Sequence, residues 1–416
     1  MKTVVHIKHT SILASTVTDG GMIKSSDLRS LSLEDFETKA KEIIEKEGWD
    51  YYDYAAGRKW TYNDSFKAFD RYIIRPRIMR DVGERDLATT VLGHPISIPV
   101  CAAPTALHVY SHPDGEKETV KGVKEAGSLM ILSSEASTTI ADVAGAAPGA
   151  LRWMQTYIFK NRKHTEHIVR QAERAGFKAI VLTVDSPVTV NWDDLDDSFL
   201  AEGHGKTDPK YRCINLDIDL PEVHAAKASG DTNLTGYLTE QHNSPITWDD
   251  FKWLKSITSL PVVCKGILTA EGAREAADAG AAGIIVSAHG GRQLDGAPAP
   301  IDALSEVVDA VRGSDVEVYL DGGVRSGNDV FKALGRGARA VFIGRPILWG
   351  LACGGADGVK RILTMLGNEL SDVMALSGCC STRDIPPDMI VHKSYYASKE
   401  RVGKASKICP NCSCKL

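Results

Sequence analysis

The stretch SAHGGRQLD (residues 287–295) places a histidine, His289, three residues before an arginine, Arg292. An imidazole titrates near neutral pH and can take a proton from a reacting group, while a guanidinium can fork onto a carboxylate. The pair therefore suits proton abstraction beside a bound anion. Other chemistry-bearing residues close short apolar runs in the same way. Asp185 ends TVD, Lys265 ends PVVCK, and the glycine-rich segments YLDGGVRS and VFIGRP carry Asp321, Gly323, Arg325, Gly344 and Arg345. Glycine lets backbone N–H groups close on an anion, so DGG and IGR beside arginines read as a phosphate cradle. Singly, each of these is equally a surface histidine or an ordinary turn. Together they require a scaffold that gathers the ends of many strands at one place.

The apolar pattern supplies one. Runs at 96–105, 129–134, 151–157 and 179–187 are followed, after a long gap, by runs at 261–267, 283–290, 316–324 and 340–346. Their hydrophobicity is continuous rather than alternating, as in parallel strands buried on both faces. Helical spacing fills the connections: Ile301, Leu304, Val308 and Val311 recur on one stripe, as do Val359, Ile362, Leu363, Leu366, Leu370, Val373 and Met374. Eight strand–helix units predict a (β/α)8 TIM barrel, whose active site lies at the C-terminal strand ends. A doubly wound open sheet is the competing architecture, but no G-x-G-x-x-G turn supports it. Residues 32 to about 90 form a helical prelude with Ser32 as N-cap and Glu34 and Asp35 in its first turn. Residues 188–246 form a long insertion after strand four, expected to be a lid. The domain reading is a flexible leader at 1–31, one barrel domain at 32–390 and a tail at 391–416.

Composition bounds the function class. Of 416 residues, 43% are apolar and 25% charged, the balance of a globular protein. A net charge of −5 argues against nucleic-acid binding through a basic surface. No run approaches the roughly 18–20 apolar residues of a membrane span. Nine cysteines are too few for a disulfide scaffold in a chain of this length, and point to a reducing compartment. The first residues lack the apolar core of a secretory signal. At the far end Cys414-Lys415-Leu416 is a conservative variant of the Ser-Lys-Leu peroxisomal address. The overlapping Cys409-x-x-Cys412-x-Cys414 lacks a fourth ligand nearby, so no metal site is expected.

SAHGGRQLD, LDGGVRSGNDVFKALGRGARAVFIGRP and MALSGC together closely resemble the FMN-dependent 2-hydroxy acid oxidase and dehydrogenase family, over about residues 33–385. The resemblance implies FMN as cofactor, His289 as base, and Asp185 as the carboxylate that orients it. Arg292 then binds the substrate carboxylate and Tyr157 hydrogen-bonds the substrate. A second substrate tyrosine falls on Tyr51 when the segment is aligned without gaps to Trp60-Thr61; a register anchored on Gly57 puts Asp53 there instead. Pro104, Thr105 and Ala106 run along the flavin ring. Ser133, Gln155 and Thr183 serve its polar edge, Ser287 is a further cofactor-binding residue, and Lys265 sits near N1. Asp321, Gly323, Arg325, Gly344 and Arg345 hold the ribityl chain and phosphate. Two departures fall in the substrate pocket: Trp192 stands where the resemblance expects a second carboxylate-binding arginine, and Glu135 where it expects a tryptophan. The implied reaction is oxidation of a C–H bond beside a hydroxyl, with O2 as acceptor and H2O2 as product. No haem-binding segment precedes the barrel pattern, and the 188–246 insertion carries no apolar membrane stretch. Simple glycolate or lactate is not the expected substrate; a larger acid, an amine or non-carboxylate substrate, or a flavin-dependent isomerisation are the alternatives. A peroxisomal homotetramer is the implied assembly.

Overall fold

The computed structural model describes residues 23, 25–188, 213–228, 240–241 and 245–397. Eight parallel strands close into a barrel: β1 (Val100–Ala102), β2 (Leu129–Leu132), β3 (Leu151–Thr156), β4 (Ile180–Thr183), β5 (Val262–Ile267), β6 (Gly283–Val286), β7 (Glu317–Asp321) and β8 (Val341–Ile343). They pair in sequence order and β8 returns to β1. A helix follows each strand, as the TIM-barrel pattern requires. Nearly every strand residue is buried, because helices cover the outer face and side chains fill the interior.

The pleat sorts the interior into layers, since side chains two residues apart share a face. Cys101, Ile131, Trp153, Val181, Val263, Ile285, Tyr319 and Phe342 form one apolar cluster at the bottom of the barrel. The Trp153 ring meets those of Tyr319 and Phe342 with centroids 5.6 and 6.0 Å apart. A hairpin of Thr89–Val91 and His94–Ile96 closes the floor, and Leu92 N–H donates to Glu317 (3.0 Å). The first apolar run, at 96–105, takes in only the last residue of this second hairpin strand, Ile96. The turn between the two hairpin strands uses Leu92 and Gly93, both at positive φ, and a leucine there hides the usual Asn-Gly signal.

The prelude starts as expected: Ser32 and Asp35 form a reciprocal capping box on helix Leu33–Ile43. Both ends of the expected barrel domain make contacts beyond its bounds. Ile23 N–H donates to Cys353 O (2.8 Å), and Leu28, in helix Ser25–Leu28, is 2% exposed against the core. At the other end, Ile390–His392 pairs antiparallel with Tyr72–Ile74, across the boundary placed at 390. The final helix, Arg345–Ser377, begins at β8 and breaks at Gly354-Gly355, and its second half carries the stripe read from sequence. Of the 188–246 insertion, turn Ile214–Leu216 and helix Pro221–Ala228 are described, and the Asn215 side chain ties the first to Ile140 N and Thr138 O. Trp192, the acidic 193–197 stretch, the first 22 residues and the tail with Cys409, Cys412 and Cys414–Leu416 lie outside the described residues.

Trp153→Ala should lower unfolding free energy by about 3–5 kcal/mol, since a large cavity opens under the site. Urea denaturation of the purified variant measures it, and a loss under about 1 kcal/mol would contradict a close-packed floor.

Candidate active site

One pleat repeat above the apolar layer the inward side chains turn polar. Ser133, Gln155, Thr183, Lys265 and Asp321 form a ring at the strand ends, each two residues beyond an apolar inward neighbour. Gln155 Oε1 accepts from Ser134 N–H (3.1 Å), and its Nε2 donates to Thr183 Oγ1 (3.0 Å). Lys265, 4% exposed, donates to Ser287 Oγ (3.1 Å) and lies 3.6 Å from Asp321 Oδ2. Ser287, a cofactor-binding residue by the resemblance, is wholly buried, and its Oγ also accepts from His289 N–H (3.0 Å).

A further two residues on come the reactive groups: Tyr157 after Gln155, Asp185 after Thr183, His289 after Ser287. His289 Nδ1 lies 2.8 Å from Asp185 Oδ1. Donation from Nδ1–H to the carboxylate leaves Nε2 with the lone pair, the tautomer a general base needs. Burial pushes the Asp185 carboxyl up, but the charges of His289 and Lys265 and the imidazole hydrogen bond outweigh it, so the net shift is downward. Backbone geometry serves this pair at two places. His289 itself adopts φ +54°, a left-handed conformation that costs a non-glycine residue about 1–3 kcal/mol and clusters at functional sites. Gly266, at φ +116°, lies so close that a Cβ would stand 2.7 Å from Asp185 Cβ.

The prelude builds the opposite wall. Asp295, the last residue of SAHGGRQLD, accepts from Arg58 N–H (2.8 Å) and Thr61 N–H (2.9 Å) and so caps helix Trp60–Lys67 from across the chain. That helix contributes Tyr62, Ser65 and Phe66 to the cleft, none of which the sequence reading singled out. Their spacing of three and four residues was the available signal, but the cap that aims them comes from more than 200 residues away. Tyr51 also lines the cleft, with the Arg292 guanidinium 5.1 Å from its ring, whereas Asp53 pairs with Lys59 (3.6 Å). Arg292 Nη1 donates to Tyr51 O (2.8 Å) and Tyr54 O (3.1 Å). Burial, followed by the charge of Glu135, raises the Tyr51 and Tyr157 phenols far above neutrality, so both remain protonated donors. Glu135 lines the same end of the cleft.

The other end collects cations. Arg325 lies against Phe66 (4.8 Å) and Trp349 (5.0 Å). Arg345 donates to Tyr52 O and Tyr54 O (both 2.8 Å) and to Gly290 O (3.1 Å). Burial, with the Arg292 charge adding, pushes Arg345 down to about 10, so it stays charged at neutral pH. Gly322 and Gly323 adopt positive φ, and helix Arg345–Ser377 starts beside them, where backbone N–H groups and the helix dipole favour an anion. A Cβ on Gly323 would stand 2.1 Å from Ser65 O, so only glycine admits the prelude helix here. The cleft and the open solvent at its mouth together span about 1030 Å³. Pro104, Thr105 and Ala106 form one wall, and Gly344, at the end of the neighbouring strand, adjoins Thr105.

Residues 40–392 match the family model for FMN-dependent dehydrogenases. The chain belongs to that family. It is 45% identical to human 2-hydroxyacid oxidase 1 over 89% of this chain and 99% of that protein. Against maize glycolate oxidase 1 the identity is also 45%, over 86% and 95%. Among solved structures, a mandelate oxidase with (S)-mandelic acid superposes with a TM-score of 0.72 at 35% identity, covering 87% of this chain and 98% of that one. Flavocytochrome b2 gives 0.75 at 29%, covering 94% and 95%.

FMN is thus the cofactor of this dehydrogenase, and its cleft fits the group. Asp321 Oδ1 is buried without a hydrogen-bond partner among the described residues, an acceptor suited to a ribityl hydroxyl. The polar ring offers donors and acceptors of the kind an isoalloxazine edge needs, and Arg325, Arg345 and the Gly322-Gly323 turn suit a phosphate. Among the described residues no cluster of three or more His, Cys, Asp or Glu is arranged to hold a metal, and no helix is long and apolar enough to cross a membrane.

Two outcomes test the dyad's packing. Gly266→Ala should destabilise the protein by more than about 1 kcal/mol, because alanine is strained at this φ and collides with Asp185. Retained wild-type stability in urea would contradict the contact. Folding lowers the Asp185 pKa, so its stabilisation is present above the ordinary carboxylate pKa of about 3.9 and is lost as pH falls through the folded value. Asp185→Asn should therefore flatten the acid limb of stability against pH, and an unchanged limb would count against the ion pair.

Proposed function

We propose that this FMN-dependent dehydrogenase oxidises 2-hydroxy carboxylic acids at the carbon bearing the hydroxyl, with His289 as the base. The observation that carries the reading is the His289–Asp185 pair: an imidazole at the cleft, oriented through Nδ1 by a buried carboxylate, with Arg292 in the same cleft. Arg292 would hold the substrate carboxylate, and the protonated Tyr51 and Tyr157 would donate hydrogen bonds to the substrate. Nε2 then takes a substrate proton, and Asp185 stabilises the imidazolium that results. FMN, when bound, supplies the two-electron acceptor, and Lys265 in the polar ring would provide positive charge to stabilise the anionic reduced ring. The relatives named as oxidases support O2 as final acceptor with release of H2O2, and Cys414-Lys415-Leu416 supports a peroxisomal home for that product.

The substrate differs from glycolate and lactate in this reading. Trp192 occupies the position expected of a second carboxylate-binding arginine, and Glu135 adds a negative charge to the substrate end of the cleft. One lost charge-assisted hydrogen bond costs about 1.5–3 kcal/mol, which is a factor of roughly ten to a hundred or more in binding. A longer 2-hydroxy acid can regain this through its side chain, and a donor group on that side chain meets Glu135.

His289→Gln should keep FMN bound while slowing anaerobic flavin reduction at least about 10²-fold; reduction at the wild-type rate would remove His289 as base. In a kcat/KM series from glycolate and lactate to longer aliphatic and aromatic 2-hydroxy acids, glycolate should fall at least about tenfold below the best substrate, and Trp192→Arg should narrow the gap. Glycolate as the best wild-type substrate would refute the altered pocket.

A further inference from the structure

One set of buried polar groups plays no part in the dyad, the polar ring or the cation end, yet reaches the cleft wall. The chain after Ala106 turns at Leu107, a non-glycine residue at φ +52°, which folds His108 back beneath Thr105. Two contacts hold this turn: Tyr52 OH donates to Leu107 O (2.6 Å), and Leu107 N–H donates to Glu135 O (3.2 Å). Behind it, Glu116 is wholly buried and accepts from His108 N–H (3.1 Å), Ser137 N–H (3.0 Å), Ser137 Oγ (2.8 Å) and Thr138 Oγ1 (2.7 Å). Four donors match the roughly four acceptor sites of a carboxylate, so Glu116 is an anchor with its capacity filled. The His108 ring, 2% exposed, stands on that anchor with Nδ1 2.9 Å from Thr119 Oγ1 and Nε2 2.5 Å from Thr105 Oγ1.

We propose that His108 is a positioning residue for the flavin: it ties down the Thr105 hydroxyl from behind and so fixes the wall on which the ring would lie. This rests on FMN occupying the cleft. Thr105 is β-branched, so its hydroxyl and methyl cannot both face the cleft wall's far side, and holding Oγ1 sets which of them does. With Oγ1 on His108, the Thr105 methyl Cγ2 is the atom turned towards Gly344, 3.4 Å from where a Cβ on that residue would stand. Release of Oγ1 lets the hydroxyl rotate among its staggered positions and changes both the shape and the polarity of the wall. Burial lowers the His108 pKa, which keeps the ring neutral. A neutral imidazole has one donor and one acceptor, and the two threonine hydroxyls satisfy both in either tautomer. The strut therefore works without any charge of its own.

The test titrates FMN into apoprotein by fluorescence quenching and records the visible spectrum of the bound flavin, for wild type, His108→Leu, His108→Gln, Thr105→Val and the Leu/Val double variant. His108→Leu should raise the FMN dissociation constant about 5- to 10-fold, the order of one hydrogen bond, and should change the flavin band shape. His108→Gln, which keeps a donor and an acceptor, should restore both readouts. On the Thr105→Val background the leucine substitution should add nothing, because the effect passes through the hydroxyl. Should His108→Leu fail to fold, the glutamine rescue and Thr105→Val still decide, since Thr105→Val must reproduce the spectral change. Wild-type FMN affinity and spectrum in His108→Leu, or in a folded Thr105→Val, would overturn the proposal, as would full additivity in the double variant. Wild-type apoprotein that does not take up FMN would instead overturn the cofactor assignment itself.

Discussion

The two-residue repeat of the β-strand is the constraint on which the site depends. In a closed barrel every second side chain must point inward, so a strand cannot change the chemistry of one inward position without regard to the next. Here three successive inward steps differ in kind: an apolar floor around Trp153, a polar ring including Gln155, Thr183 and Lys265, and then Tyr157, Asp185 and His289 at the mouth. The floor excludes water and fixes the strands in register. In the proposed reaction the ring would meet the cofactor and the mouth would handle the proton. Tyr157, Asp185 and His289 lie just past the strand ends, so their distance from the polar ring is set by the strands together with the turns that follow them, including His289 at φ +54°.

Charge explains why the loops are nonetheless held tightly. Lys265, Arg292, Arg325 and Arg345 share one cleft, and the charge of Arg292 disfavours that of Arg345. The protein stabilises them through backbone carbonyls of the 51–54 segment and Gly290, which draws the prelude over the barrel mouth. A bound phosphate and a substrate carboxylate are the natural complements of such a surplus. The prelude is therefore both the cover of the cleft and part of the electrostatic arrangement, and Asp295 secures it by capping helix Trp60–Lys67.

The barrel was legible in the sequence because strands buried on both faces read as unbroken apolar runs, and all eight appeared in order. The dyad was legible because His289, Asp185 and Arg292 sit in distinctive motifs at the ends of those runs. Other features were hidden for physical reasons. Helix Ser25–Leu28 and strand Ile390–His392 are too short to declare themselves and exist through tertiary contact with the final helix and with Tyr72–Ile74. The floor hairpin lacks a usual turn dipeptide. Tyr62 and Phe66 reach the cleft only because a distant aspartate sets their helix. Ser287 shares its motif with His289, and its hydroxyl accepts from Lys265 and from the His289 main chain, partners that the motif alone does not reveal.

The proposed oxidation requires that a hydroxyl-bearing carbon next to a carboxylate reduce the bound flavin. The deciding measurement is anaerobic bleaching of the flavin band when the FMN-loaded protein is mixed with a series of 2-hydroxy acids and with their 2-methoxy and 2-deoxy counterparts. The account predicts bleaching by at least one 2-hydroxy acid of longer side chain, and none by either counterpart. Flavin that stays oxidised with every 2-hydroxy acid, or that bleaches equally with the 2-deoxy acids, would contradict it.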